Sequence, residues 1–173
     1  MDARSAILPD AVAIRALIDA HTSDGTLLPR SLPELYENIR DFVVVEDDGV
    51  VVGCGALHLY GEHLAEIRSI AVMPEARGWG AGRLLVRALL RESLRQQVSC
   101  VCVFTRIPGF FAPFGFVVTH ETLPDKLYKD CRRCARRHAC DEIAMIRGPL
   151  PETEVAPRLA GIRRPIVAAG GGL

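Results

Sequence analysis

The spacing of apolar residues in the first third of the chain changes from helix-like to strand-like. Residues 4–8 predict a short strand, and the apolar positions that follow recur every three or four residues, which predicts a helix to about residue 20. Ser31 and Glu34 have the spacing of a capping box and predict a second, short helix. Residues 42–46 and 50–60 are rich in β-branched residues around an Asp-Asp-Gly turn, so they predict an antiparallel hairpin.

The middle of the chain predicts a strand, a glycine-rich loop, a helix and another strand, in that order. Residues 66–72 alternate polar and apolar side chains until a Met-Pro pair ends the strand, and an amphipathic helix runs to about residue 96. Residues 98–105 form an apolar strand of the buried type, so this segment has a βαβ-like core. A short aromatic stretch follows, and further strands are predicted over residues 116–120 and 142–146.

One domain, expected over residues 1–147, accounts for this pattern. The chain has 173 residues, of which 49% are hydrophobic, and this is enough for one packed core. From residue 148 onward the composition shifts to proline and glycine, so residues 148–173 are expected to form a flexible C-terminal tail.

Charge and hydropathy argue against several classes of partner. The 21 Lys and Arg residues balance 21 Asp and Glu residues, and a formal net charge of zero disfavours nucleic-acid binding. No apolar run approaches the roughly 20 residues that span a bilayer, and the acidic N-terminus is unlike a signal peptide. A cytoplasmic protein without membrane contact is expected, so its six cysteines are expected to be free thiols.

The glycines between residues 77 and 82 are the strongest functional signal. They follow a strand and precede a helix, where backbone N–H groups and the helix dipole favour an anion, typically a phosphate. A flexible turn between strand and helix is the alternative interpretation. The spacing does not fit a dinucleotide or nucleotide-triphosphate loop, since the Gly-x-Gly-x-x-Gly and Gly-Lys-Ser/Thr patterns are both missing.

Residues 71–82, which read Ala-Val-Met-Pro-Glu-Ala-Arg-Gly-Trp-Gly-Ala-Gly, resemble the acetyl-CoA motif Arg/Gln-x-x-Gly-x-Gly/Ala of the GCN5-related N-acetyltransferase (GNAT) superfamily. The resemblance implies acetyl-CoA as co-substrate and a mixed α/β (α+β) fold with a largely antiparallel sheet flanked by helices. It also implies that the main chain of the preceding strand pairs with the pantetheine arm and that the loop holds the pyrophosphate. The implied cofactor-binding residues are Ile70, Ala71, Val72, Arg77, Gly78, Trp79, Gly80, Ala81, Gly82 and Arg83. A homodimer is a further expectation from the family.

A narrower resemblance is to the short N-acetylglutamate synthases. It implies acetyl transfer to the α-amine of L-glutamate, with L-glutamine as a further candidate, in the first step of arginine biosynthesis. By the same resemblance Arg106 binds the α-carboxylate, Arg30 binds a glutamate carboxylate and Cys54 lines the pocket. Two carboxylates require at least two cationic side chains, and Arg68 is a third candidate. The resemblance is carried by Leu28-Pro29-Arg30-Ser31, Glu34-Leu35, Cys54 before Ala56-Leu57, Thr105-Arg106, Phe110-Phe111 and Phe114-Gly115-Phe116.

The chemistry of acetyl transfer points to two further residues. An ammonium must lose a proton before it attacks, and Glu66 is the candidate base, with a strand-edge charge as the alternative. Many relatives protonate the leaving thiolate with a tyrosine, but residues 110–116 contain no hydroxyl group. Tyr128 is the first candidate for that acid, ahead of Tyr36 or solvent. For Cys54 an apolar strand setting predicts a raised pKa and inert packing rather than covalent catalysis.

Two interpretations stay open for the cysteines near residue 131. Cys131, Cys134, His138 and Cys140 have ligand types and partial spacing for a structural zinc site, or they are reduced thiols. The acetyl transfer itself requires no metal.

Two rival functions also stay open at this level. The same fold acts on other amines, such as a protein N-terminus, a lysine or a small-molecule amine. A chain that lacks the usual tyrosine is also consistent with a non-catalytic regulatory module that binds acyl-CoA.

Overall fold

The computed structural model describes residues 1–22, 25–121, 123, 126, 131 and 138–150. In this part of the chain seven strands form one sheet. The strands are Asp2–Ser5 (β1), Phe42–Asp47 (β2), Val50–Leu59 (β3), Leu64–Val72 (β4), Cys100–Thr105 (β5), Val117–Val118 (β6) and Ile143–Arg147 (β7). The helices are Ala11–Asp19 (α1), Leu32–Glu37 (α2), Ala81–Arg95 (α3) and Pro108–Phe111 (α4). None of these helices is long and apolar enough to cross a bilayer.

The sheet has the strand order β1-β2-β3-β4-β5-β7-β6. Neighbouring strands are antiparallel except β4 and β5, which are parallel. A parallel pair needs a crossover connection, and α3 supplies it between the two strands. The predicted βαβ core and the mixed, largely antiparallel sheet are confirmed.

Alternate residues of β2 pack into two different cores, because successive side chains of a strand point to opposite faces. Val43 and Val45 pack with α3, which buries Leu85 against them. Val44 packs instead with α1, which buries Ile14 in the second core. The sheet therefore lies between α3 on one face and α1 with α2 on the other. Burying each large aliphatic side chain contributes about 1.5–3 kcal/mol.

Several strand ends differ from the predictions, most clearly those of β1 and β6. Strand β1 ends at Ser5 and not at residue 8, because Leu8–Asp10 form a 3-10 turn with Pro9 near its start. Proline has no N–H group to donate to a neighbouring strand, so it cannot extend the ladder. The strand predicted over residues 116–120 is limited to Val117–Val118.

The predicted capping box of α2 forms in part. The Ser31 hydroxyl accepts a hydrogen bond from the Glu34 N–H at 3.3 Å, as predicted. The Glu34 carboxylate forms an ion pair with Arg30. Helix α2 is thereby tied to the residue that precedes its cap.

A charged cluster joins β1, β2 and the start of α1. The Arg4 guanidinium donates to both carboxylate oxygens of Asp10, at 2.7 and 3.0 Å, and to Glu46. Asp10 is buried and also accepts the N–H of Ile7 at 2.8 Å. The hydrogen bond from Arg4 lowers the pKa of Asp10, and the two carboxylates raise the pKa of Arg4.

We expect Asp10→Asn to remove an acid-sensitive part of the stability. Because the pKa of folded Asp10 lies below its ordinary value of 3.8, its contribution is present above that pH. The contribution is lost as the pH falls through the lowered pKa. The variant should be about 1–3 kcal/mol less stable at neutral pH and depend less on pH below about pH 4. Urea unfolding at several pH values tests this, with Asp19→Asn as the control, because Asp19 is exposed at the end of α1. Identical pH slopes for wild type and Asp10→Asn would contradict the prediction.

Gly148 follows β7 and has no room for a side chain. Its φ is +95°, and a Cβ atom there would clash with the main-chain carbonyl of Ser99. We expect Gly148→Ala to lower the free energy of unfolding by more than about 3 kcal/mol, since the clash adds to left-handed backbone strain. Gly49→Ala is the matched control, because Gly49 has φ +79° and open space around it. Equal losses in thermal unfolding would show that the clash has no effect.

Candidate active site

Strands β4 and β5 pair over a short distance and then separate. Their parallel ladder begins with Leu64 opposite Cys100 and ends with Glu66 opposite Cys102. Strand β4 continues for six more residues and β5 for three. We call the space between residues 67–72 and residues 103–105 the β4–β5 gap. Main-chain groups of β4 that point away from β3 can here pair with an extended ligand, as an added strand would.

A β-bulge shapes the β4 side of the gap. Cys54 pairs with Ala71 and Ala56 with Arg68, so two residues of β4, Ser69 and Ile70, lie opposite Gly55 alone. Ser69 has a left-handed φ of +55°. A Cβ atom on Gly55 would lie 3.2 Å from Ile70 Cγ1, so the absence of a side chain makes room for the bulge. Bulges change the direction of the following residues, here those predicted to contact the pantetheine arm.

The bulge was missed by sequence reasoning. Glycine within a strand is a signal of a bulge or of close backbone approach, and Gly53 and Gly55 flank Cys54. A Cβ atom on Gly53 would lie 3.3 Å from the Ala71 carbonyl oxygen. The Gly-Cys-Gly segment therefore indicates a bulge or a close backbone approach. It does not predict which residue of the opposite strand is the extra one.

The glycine loop lies between the end of β4 and the start of α3. Gly78 and Gly80 have φ of +81° and +97°, a region that residues with side chains adopt only at a cost. The first N–H groups of α3 have no acceptor within the helix, and the positive end of the helix dipole lies at the same place. Gly82 packs on the Phe110 ring, 3.2 Å from where its Cβ atom would be. This cradle fits a pyrophosphate.

Side chains around the loop are mostly exposed. Arg77, Trp79 and Arg83 are accessible to solvent, and Arg77 Nη2 lies 3.5 Å from Nε2 of His21 at the end of α1. Ala81, the first residue of α3, is buried. The loop therefore offers both backbone donors and cationic side chains to a phosphate ligand.

Arg106 lies just beyond β5 and connects three segments of the chain. Its Nη1 donates to the carbonyl oxygen of Gly25 at 2.9 Å, and its Nε donates to Asp141 at 2.8 Å. The hydrogen bond to Asp141 raises the pKa of Arg106. Arg106 thus brings the connection between α1 and α2 to the end of β5.

The other predicted acceptor-binding arginines lie near the α1–α2 face of the sheet. Arg68 is opposite Ala56, which is buried in the core with α1 and α2, and cross-strand partners share a face. Arg30 precedes the cap of α2 and pairs with Glu34. Each of these two arginines is half-buried.

Cys54 is fully buried in the core beneath the bulge and has no exposed surface. Its thiol donates to the Ser69 carbonyl oxygen, with an S–O distance of 3.7 Å. Burial raises the pKa of Cys54 to about 12, so the thiol is protonated and unreactive near neutral pH. Inert packing agrees with its strand setting, and the side chain supports the bulge from below rather than forming an exposed wall of a pocket.

Glu66 lies at the vertex where β4 and β5 separate. Its side chain is only 3% exposed, and each carboxylate oxygen has a partner. The Lys126 ammonium donates to Oε1 at 2.7 Å, and the Tyr60 hydroxyl donates to Oε2 at 2.6 Å. Sequence reasoning missed both partners, and no local pattern predicts a contact 60 residues away along the chain. Tyr128 lies outside the described residues, and Tyr36 is exposed on α2.

Cys54, Cys100, Cys102 and Cys140 are free thiols. Cys100 and Cys102 are buried on β5, and burial raises the pKa of each thiol. Of the zinc candidates, Cys131 is half-buried and Cys140 is exposed, whereas Cys134 lies outside the described residues. Within the part of the chain that the structure describes, no three His, Cys, Asp or Glu side chains form a group able to hold a metal.

Residues 14–116 match the model of the acetyltransferase (GNAT) family. An uncharacterized N-acetyltransferase of Chlorobaculum tepidum is 42% identical over 145 residues, which cover 83% of this chain and 94% of the relative. An amino-acid acetyltransferase of Mycobacterium tuberculosis is 40% identical over 122 residues, which cover 69% of this chain and 70% of that protein.

Two solved structures resemble this fold over most of its length. A Mycobacterium tuberculosis protein in complex with CoA and a second ligand aligns with a TM-score of 0.76 and 32% identity, covering 87% of this chain and 100% of that one. N-acetylglutamate synthase from Neisseria gonorrhoeae, complexed with CoA and N-acetyl-glutamate, aligns with a TM-score of 0.73 and 27% identity. That alignment covers 87% of this chain and 35% of the longer one.

We expect Gly80→Ala to weaken CoA binding about tenfold, since the left-handed backbone at φ +97° costs an alanine about 1–2 kcal/mol and redirects the loop amides. Isothermal titration with CoA measures the dissociation constant. Gly61→Ala, in the β3–β4 turn with open space around it, is the control. Equal CoA affinity in both variants would show that the loop backbone does not hold the ligand.

Proposed function

The chain belongs to the acetyltransferase (GNAT) family, and from that premise we propose that it transfers the acetyl group of acetyl-CoA to the α-amine of L-glutamate, with L-glutamine as the nearest competing acceptor. The observation that carries this proposal is Arg106, a guanidinium held at the end of β5 by the carbonyl of Gly25. It lies beside the β4–β5 gap, and its carboxylate partner is the exposed Asp141.

For the acyl donor, the main chain supplies the binding groups. Acetyl-CoA brings a thioester whose carbonyl carbon is open to attack by an amine. In our proposal the backbone of Ile70, Ala71 and Val72 pairs with the pantetheine arm, and the N–H groups of the glycine loop hold the pyrophosphate. A main-chain donor near Val72 polarises the thioester carbonyl, which stabilises the charge that develops on its oxygen.

For the acceptor, arginines supply the charge that glutamate requires. Arg106 is assigned to the α-carboxylate and Arg30 to the side-chain carboxylate, with Arg68 as the third cation on that face. Arg106 pairs with Asp141, and Arg30 pairs with Glu34. Exposed ion pairs contribute only about 0–1 kcal/mol, so a substrate carboxylate with bidentate geometry can replace Asp141 or Glu34.

Glu66 is assigned as the general base. Because its carboxylate is almost fully buried, the ammonium proton reaches it through solvent in the gap rather than by direct contact. The neutral amine then attacks the thioester carbon, the C–N bond forms, and the C–S bond breaks to release the CoA thiolate. The new amide nitrogen gives up its extra proton to solvent. The thiolate takes a proton from Tyr128, Tyr36 or solvent, because the aromatic stretch at residues 110–116 contains no hydroxyl group.

The names of similar proteins support an amino-acid acceptor. One relative is an amino-acid acetyltransferase, and one structural neighbour is an N-acetylglutamate synthase solved with CoA and N-acetyl-glutamate. Production of N-acetyl-glutamate would give this chain a role in the first step of arginine biosynthesis.

The test is acetyl-CoA turnover with each amino acid in turn, following the N-acetylated product by mass. L-Glutamate is expected to exceed other amino acids, and Arg106→Ala should lower kcat/KM for glutamate about 10- to 100-fold, the loss of a charged hydrogen bond. CoA affinity should stay within about threefold of wild type. Arg15→Ala, an exposed arginine on α1, is the matched control and should change neither value.

Three outcomes would overturn the glutamate assignment. Turnover of a peptide or another amine above all amino acids would show the same fold acting on a different acceptor. CoA binding without turnover of any amine would indicate a regulatory module. Full glutamate activity in Arg106→Ala would remove the residue on which the acceptor assignment rests.

A further inference from the structure

We propose that Lys126 and Tyr60 are positioning residues that hold the Glu66 carboxylate at the vertex of the β4–β5 gap. This inference rests on the proposed function, in which Glu66 is the general base. It assigns a role in catalysis to a lysine from the segment between β6 and β7, and to the tyrosine that follows β3. Neither residue follows from the acetyl-CoA motif or from the acceptor-binding arginines.

Two donors replace the water that the buried Glu66 carboxylate has lost. A buried carboxylate loses its hydration, which costs several kcal/mol unless a cation and hydrogen-bond donors replace the water. Lys126 supplies the positive charge on Oε1, and Tyr60 supplies a neutral donor on Oε2. A carboxylate oxygen has two lone pairs, so an oxygen that accepts one hydrogen bond can still take up a proton.

Lys126 spans the two strands at the point where they stop pairing. Its ammonium bonds Glu66 on β4 and lies 5.0 Å from the ring centroid of Phe104 on β5. A cation over an aromatic face is attracted by the ring, so the Lys126 ammonium interacts with both β4 and β5. The ammonium is itself only partly accessible, with 15% of the side chain exposed.

The sheet register shows which other titratable residues are neighbours of Glu66. His58 of β3 and Cys102 of β5 are opposite Glu66 on either side. The Cys102 thiol is buried, and burial together with the Glu66 carboxylate raises its pKa, so it stays neutral. His58 Nδ1 lies 3.5 Å from a carboxylate oxygen of Asp41, and Arg68 lies two residues further along β4. Lys126 makes the charged contact at 2.7 Å.

Lysine, the residue at position 126, is rare in this chain. Among its 21 cationic residues only two are lysines, and the rest are arginines. An ammonium is a compact point charge, whereas a guanidinium is a planar fork that needs more space. A single lysine above Phe104 and beside Glu66 fits the narrow vertex, so arginine is expected to restore the charge but not the full geometry.

The test compares Lys126→Met, Lys126→Arg and Tyr60→Phe by steady-state kinetics at several pH values. Lys126→Met should lower kcat about 10- to 100-fold with an unchanged KM for acetyl-CoA, since a positioned base contributes about 10²–10⁴-fold. The acidic limb of the kcat/KM profile should differ from that of wild type, because the variant removes the positive charge that lies 2.7 Å from the assigned base. Lys126→Arg should restore the pH profile and part of kcat, and Tyr60→Phe should cause a smaller loss.

Controls separate this proposal from a general loss of structure and from the proposed function. CoA titration reports whether each variant is folded, and Arg91→Met, on the exposed face of α3, is the matched control. If Glu66→Gln abolishes turnover while Lys126→Met leaves rate and pH profile like those of the control, the positioning role is wrong and the proposed function stands. If Glu66→Gln keeps full turnover, the base assignment fails and this inference fails with it. An equal loss in Lys126→Met and Lys126→Arg with an unshifted pH profile would show a structural role only.

Discussion

The separation of β4 from β5 after Glu66 is the constraint on which the rest of this molecule depends. A parallel pair that continued to Val72 would satisfy the main chain on that edge and leave nothing for a ligand to pair with. Because the ladder ends at Glu66, the main-chain groups on that edge of residues 67–72 are not paired with β5. The gap also opens toward the glycine loop at the end of β4, so one extended ligand can contact both.

A bulge lies in the part of β4 that does not pair with β5. The bulge at Ser69 and Ile70 turns the second half of β4, and Gly55 on the neighbouring strand accommodates it. The Cys54 thiol contacts the Ser69 carbonyl from the core side. Packing therefore supports the bulged half of β4 from within the sheet, and the buried cysteine is a structural part of it.

Cationic groups lie at two separate places around the gap. The positive end of α3 and the exposed Arg77 and Arg83 lie on the phosphate side, whereas Arg68 and Arg106 belong to the side proposed for the acceptor. Glu66 lies at the vertex with a cation in contact. A chain with a net charge of zero thus has local groups of cationic side chains near the loop and near the end of β5, with one buried carboxylate between them that we propose to be the base.

The sequence by itself determined the elements that depend on short-range spacing. The helices α1 and α3, the β2–β3 hairpin, the Ser31 cap and the glycine loop follow from periodicity and turn residues within a few positions. The resemblance of residues 71–82 added the GNAT family, its fold and its co-substrate. Boundaries were less exact where Pro9 ended β1 early. The roles of Glu66 and of the acceptor-binding arginines stay predictions.

Only the tertiary structure decided where the gap opens and what surrounds it. The contact of Lys126 with Glu66 joins residues 60 positions apart, and that of Arg106 with Gly25 joins residues 81 apart. The bulge depends on the register between two strands, and the burial of Cys54 depends on both helices above it. Local propensity carries no information about such pairs, because their energies arise only after distant segments have packed together.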